Sequence, residues 1–131
     1  MLRLFTDAAT LGNPGPTGLG VLIIHDQQQI QLKQSLATAT NHEGEFSAAI
    51  MGFNYLINHF DASETVLFYT DSRLVSDSIG KNHSKNFNEQ FQQLSNYLNY
   101  FSLVVTRWLP EKQNQGAHQL ANQALRSIED R

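Results

Sequence analysis

Two segments of the chain end alike, "LFTD" before Ala8 and "LFYTD" before Ser72, so that Asp7 and Asp71 each close an apolar, β-prone run. If the two runs are parallel neighbours in similar register, both carboxylates emerge side by side at the carboxyl end of a sheet, where open α/β sheets place ligands. Adjacent carboxylates repel unless one keeps a proton or a divalent cation neutralises both, and hard oxygen ligands select Mg2+ or Mn2+. Glu45 is a third acid, in the first turn of an amphipathic stretch, able to point back across the sheet. Each acid has a plainer reading by itself: Asp7 as the start of a turn, Asp71 as a helix N-cap, Glu45 as a surface helix residue. The combination is more specific than its members.

The elements that must position these acids follow from pattern and punctuation. After Asp7 the chain reads "AATLGNPGPTGLG". A loop that cradles phosphates would carry Gly-Lys-Ser/Thr at its helix end, and no lysine precedes Lys33. The β-branched run "VLIIHD" that follows predicts a second strand, so the glycine and proline cluster is the bend of a hairpin. "QIQLKQSLA" (29–37) alternates and predicts a third strand. In "NHEGEFSAAIMGFNYLINHF" the residues Phe46, Ala49, Ile50, Phe53, Ile57 and Phe60 fall at helical spacing, with Asn41 as the expected N-cap and Gly44 a poor first-turn residue. "TVLFYT" predicts a fourth strand, and "DSRLVSDSIG" a short helix capped by Asp71 or Ser72 and ended by Gly80. A longer helix is expected over 84–100, a fifth strand at "FSLVVTRWL" ended by Pro110, and a final helix at "QGAHQLANQALRSIED". Strands joined by short turns should form an antiparallel meander and strands reached through helices should add in parallel, giving an α/β mixed sheet covered by helices.

Composition bounds the rest. A chain of 131 residues, 40% apolar and without internal repeats, is expected to be one domain over 1–131 with a real core. The absence of cysteine excludes disulfides, thiolate metal sites and a cysteine nucleophile. No apolar run approaches the roughly 18 residues of a membrane span, and "MLRLFTDAAT" lacks a signal-peptide pattern, so no membrane partner and a cytoplasmic location are expected. The net charge of −3 argues against nucleic-acid binding by bulk positive charge but leaves room for a local patch at Arg73, Lys81 and Lys85. His25, His59 and His83 are isolated, and Trp108 reads as core packing in the fifth strand.

Four segments, "TDAATLGNPGPTGLG", "TNHEGEF", "YTDS" and "NQGAHQLA", in that order over residues 6 to 121, resemble the signature segments of the type 1 ribonuclease H family. The resemblance implies a ribonuclease H-like fold, a five-stranded mixed sheet of order 3-2-1-4-5 flanked by helices, with Asp7, Glu45 and Asp71 as metal-binding acids. It implies hydrolysis of the RNA strand of RNA/DNA hybrids by a two-metal mechanism, two Mg2+ or Mn2+ ions about 3.5–4 Å apart activating water and stabilising the leaving 3′ oxygen. RNA would be selected through its 2′-hydroxyl across a wide minor groove. Substrate contacts are implied for Asn13 and Thr10 in the hairpin and for Thr40 and Asn41 beside the glutamate, with Arg73 as a basic neighbour. His42 stands where the family commonly has a second Asn.

The fourth family position is usually Asp, and here "NQGAHQLA" places His118 there. The chain resembles a branch of ribonuclease H-like proteins with histidine at this place. An imidazole suits Mn2+ and other transition ions better than Mg2+ and removes one negative charge, so His118 is expected as an auxiliary ligand or as a proton donor to the leaving group, or else it only flanks the last helix's buried face. The basic, Trp-rich protrusion of many members is reduced in "KNHSKNFNEQFQQ" to two lysines, and "LPEKQNQGAH" lacks their flexible loop histidine. With the first strand starting at residue 2, no preceding hybrid-binding domain is expected, and the protein is expected to be a monomer. The alternatives to a hybrid nuclease are a ribonuclease H-like binding module of weak or no catalysis, or a nuclease acting on another RNA.

Overall fold

The computed structural model describes residues 1–129. Strands β1 (Leu2–Thr10), β2 (Gly15–His25) and β3 (Gln28–Ala39) form an antiparallel meander, and β4 (Thr65–Thr70) and β5 (Leu103–Trp108) add in parallel beyond β1. The order across the sheet is β3-β2-β1-β4-β5. Four helices accompany it: α1 (Asn41–His59), α2 (Arg73–Lys81), α3 (Asn88–Leu98) and α4 (Gln115–Glu129). Among the described residues no helix is long and apolar enough to cross a membrane.

Alternation along the strands decides what covers each face, because successive side chains point to opposite sides. Leu2 and Leu4 of β1, Val21 and Ile23 of β2, and Val66 and Phe68 of β4 are fully buried with Phe46 and Phe53 of α1. On the other face, a Cβ added to Gly18 or Gly20 of β2 would overlap the carbonyl oxygens of Ala121 and Ala117, so α4 lies directly on strand backbone. Gly20 is the cross-strand partner of Asp7. The bare backbone there lets α4 come close enough to reach the acid.

Four boundaries differ from those expected. The N-cap of α1 is Thr40, whose hydroxyl accepts from Glu43 N while Glu43 accepts from Thr40 N, a reciprocal arrangement that Asn41 could not make with Gly44 three residues on. Glu45 therefore opens the second turn of α1 and not the first. Helix α2 ends at Asn82, which takes the left-handed conformation (φ 55°), while Gly80 stays within the helix. Helix α3 starts at Asn88 instead of 84, because the chain spends residues 83–87 turning out of that cap. Strand β5 spans only Leu103–Trp108, and the pairing register with β4 covers those six residues.

Candidate metal centre

Strands β1 and β4 run in register with Thr6 opposite Thr70, so Asp7 and Asp71 leave the sheet as neighbours. Asp7 is not the start of a turn: β1 continues to Thr10, and the residue is 3% exposed. Nor is Asp71 a cap, since Ser72 Oγ accepts from Val75 N at 3.2 Å and leaves the aspartate free. Glu45 reaches the same point from α1 because Gly44 lets the helix approach; a Cβ on Gly44 would sit 3.0 Å from Thr17 and 3.1 Å from Ala8. One carboxylate oxygen from each of Asp7, Glu45 and Asp71 lies within 4.8 Å of the others.

This crowding has electrostatic consequences. Burial pushes the Glu45 carboxyl well above its ordinary range, and the charges of Asp7 and Asp71 push it further. Burial also raises Asp7, opposed by its hydrogen bond to His118. Asp71 is raised to about 6, by burial first and the Asp7 charge second, with the Asn114 amide pulling the other way. Glu45 is 6% exposed and its Oε2 has no hydrogen-bond partner. A buried anionic oxygen without a donor is costly, and three convergent carboxylates form a hard oxygen set. The donor set and the orphaned oxygen fit a divalent cation.

On the other side of Asp7, α4 presents His118. Its Nδ1 lies 2.9 Å from Asp7 Oδ2 and 3.1 Å from Glu111 Oε1, and its Nε2 lies 3.0 Å from Asn122 Nδ2. His118 thus bonds the site and does not merely flank the core. Asn114, 1% exposed, donates to Thr6 O at 2.9 Å and to Asp71 Oδ2 at 3.4 Å, tying the start of α4 to both strands.

A cleft of about 340 Å3 opens over the acids, bounded by Asn41, His42 and Arg73 among others. Arg73 lies with its guanidinium carbon 3.6 Å above the Trp108 ring, and Trp108 Nε1 donates to Asp71 O. Trp108 is 37% exposed. The expectation of core packing for it is corrected: at the last position of edge strand β5 the ring is covered only by Arg73, the first residue of α2, and stays partly open to solvent. Asn13 Oδ1 accepts from Asn41 N at 2.9 Å, which fastens the hairpin to the start of α1. The Thr10 hydroxyl pairs with Thr17 at 3.0 Å and the Thr40 hydroxyl serves the cap, so the oxygens of both are engaged within the protein, and neither they nor Asn13 line the cleft. Glu111, Asn114 and Asn122 were not foreseen as site residues. The spacing of Asn122 four positions after His118 was a legible signal, since such pairs share a helix face.

A family model described as RNase H matches residues 1–126. The chain is 41% identical over 133 residues to the EbsB protein of Enterococcus faecalis, covering 98% of this chain and 96% of that one. It is 32% identical over 84 residues to ribonuclease H of Trichodesmium erythraeum, a match over 64% of this chain and 51% of the relative. In fold it is similar to RNase H1 of the halophilic archaeon Halobacterium salinarum, with a TM-score of 0.88 at 23% identity over 96% of this chain and 98% of that one. LC11-RNase H1 in complex with an RNA/DNA hybrid gives a TM-score of 0.88 at 22% identity, covering 98% and 99%.

Proposed function

This chain belongs to the RNase H family, and from that premise we propose that it is an endonuclease that hydrolyses the RNA strand of RNA/DNA hybrids with divalent cations. The observation that carries the reading is the convergence of Asp7, Glu45 and Asp71 around a buried, partnerless Glu45 oxygen. The hybrid held by LC11-RNase H1 supports the substrate class.

Asp7, Glu45 and Asp71 would hold the metal, with His118 beside them. Bound there, two Mg2+ or Mn2+ ions would supply the activation of a water and the charge that offsets the leaving 3′ oxygen. Arg73, fixed over Trp108 at the cleft, faces the phosphates as a positioned cation. Asn41 at the cleft, fastened by Asn13 Oδ1, would orient the substrate backbone, and Asn13, Thr10 and Thr40 would contact it where the hairpin meets α1. RNA is chosen over DNA by contacts to the 2′-hydroxyl. His118 acts as a further ligand or delivers a proton to the leaving group. The enzyme works as a monomeric single domain in the cytoplasm.

The test is cleavage of an internally labelled RNA/DNA hybrid at low salt with Mg2+, Mn2+ or chelator, comparing the wild-type chain with Asp71→Asn. Internal cuts in RNA that need metal and vanish in the variant are the expected result. Binding without cleavage under either metal would overturn the reading in favour of a binding module. Cuts in a different RNA and none in the hybrid would reassign the substrate.

A further inference from the structure

We propose that Trp108 is a positioning residue: its ring holds the Arg73 guanidinium away from the carboxylates of the cleft, so that the acids stay open to a divalent cation and the arginine stays open to a phosphate. The inference rests on the preceding reading of Asp71 as a metal-holding acid and of Arg73 as a substrate contact, and adds the residue that keeps the two apart.

Opposite charges crowd this end of the sheet. Asp7, Glu45, Asp71 and Glu111 bound the cleft together with Arg73, and Arg73 follows Asp71 by two positions. A mobile arginine in such company pairs with carboxylate, because its planar fork matches two carboxylate oxygens. Such a pair would occupy the oxygens that a metal ion takes. Among the described residues, however, the guanidinium is paired with no carboxylate. Its carbon lies 3.6 Å from the centre of the Trp108 ring instead.

Helix stability does not account for this arginine. Arg73 is the first residue of α2, at the positive end of the helix dipole, where an acid is favoured and a cation is not, and the first turn holds no acid. The ring accounts for it better. Indole is the strongest aromatic platform for a cation, and a guanidinium laid over it keeps its N–H donors at the edge, free for phosphate oxygens.

The platform is fastened to the strand that delivers the metal-holding acid. Trp108 pairs with Thr70 in the β4–β5 register, Leu109 N donates to Thr70 O at 3.0 Å, and Trp108 Nε1 donates to Asp71 O at 3.0 Å. The indole thus takes its place from the same two residues that bring the Asp71 carboxylate to the cleft. The main chain fixes the ring, and the ring fixes the cation. At 37% exposure the ring fills no core space, so its replacement leaves no buried cavity.

The test is a double-mutant cycle on the full chain, read as Mn2+ binding without nucleic acid from the loss of the free-ion electron paramagnetic resonance signal. Trp108→Leu should weaken Mn2+ binding about tenfold, the scale of one ring-held cation released onto the acids, and in the Arg73→Ala background the same change should cost nothing. Trp108→Phe, which keeps a ring and loses the N–H, should retain Mn2+ affinity within about threefold. A second readout is hybrid affinity in chelator by fluorescence anisotropy, where Trp108→Leu should weaken binding about threefold or more and add nothing to Arg73→Ala. Unchanged Mn2+ affinity in Trp108→Leu would overturn the proposal. So would an equal loss with and without Arg73, or a loss in Trp108→Phe as large as in Trp108→Leu, since a merely structural role through Asp71 O gives those results. Melting curves establish that each variant folds. Hybrid cleavage by the wild-type chain separates the readings: cleavage with additive losses leaves the nuclease and removes the positioning role. A coupled loss of Mn2+ affinity without any cleavage does the reverse.

Discussion

On the α1 side of Asp7, Glu45 and Asp71 add negative charge to a buried carboxylate and leave Glu45 Oε2 without a donor, whereas on the α4 side His118, Glu111 and Asn122 form a bonded chain. One aspartate therefore faces two solutions to the same problem of a charge taken out of water. The first flank is destabilising until a cation arrives. The second is already satisfied by hydrogen bonds. The difference shows how a single fold keeps one position strained for function and supports it with a second that is not.

Removing the shared residue should collapse the contrast. Asp7→Asn is expected to lower hybrid hydrolysis roughly a thousandfold, the loss that about 4 kcal/mol of transition-state charge stabilisation represents, read in single-turnover cleavage assays. Glu45→Gln should also abolish cleavage yet raise the melting temperature in chelator by about 3–5 °C, because it removes the buried charge on the strained flank alone.

Gly20→Ala attacks the bonded flank through the backbone. Its Cβ would collide with Ala117 O and push α4 from β2, at a cost of about 1–3 kcal/mol measurable in urea melts. His118 moves with the helix. The variant should therefore lose the His118–Asp7 hydrogen bond, read as a shift of the His118 ring resonances by nuclear magnetic resonance, while Glu45 and Asp71 keep their places.

Acidity sharpens the comparison further. Asp71 titrates at about 6 in the folded chain against 3.8 for an ordinary aspartate, so between those values the folded state binds more protons than the unfolded one. Stability of the metal-free protein should then fall as pH rises through that window, and Glu45, raised well above its ordinary value, extends the fall upward. Melting curves in chelator from about pH 5 to about pH 8 should show the decline, and saturating divalent metal should remove most of it. A flat profile in chelator would contradict the strained first flank.

The smallest effect is expected outside both flanks. Arg73→Ala should weaken hybrid binding about tenfold and reduce the slope of binding against salt by about one phosphate contact, measured by fluorescence anisotropy at several salt concentrations. The acids would be left untouched.

The local order of residues determined the elements and the meeting of two acids. Three runs joined by turns specify a meander, and two apolar runs closing on the same Thr-Asp, the second reached through a helix, place Asp7 beside Asp71. Periodicity carries such information because it is repeated over many residues. The motif around His118 marked it as a site position, although only its 2.9 Å contact with Asp7 shows which flank it serves. Glu111 carried no pattern, being one acid in an irregular turn. The Thr40 cap is recorded in its local Thr-x-x-Glu spacing, whereas Trp108 sat in a strand whose edge position decided its exposure. Tertiary structure decided the flank of His118, the place of Glu111 and the exposure of Trp108, because single contacts such as that between Asp7 and His118 join residues 111 positions apart, and no local rule of spacing records them.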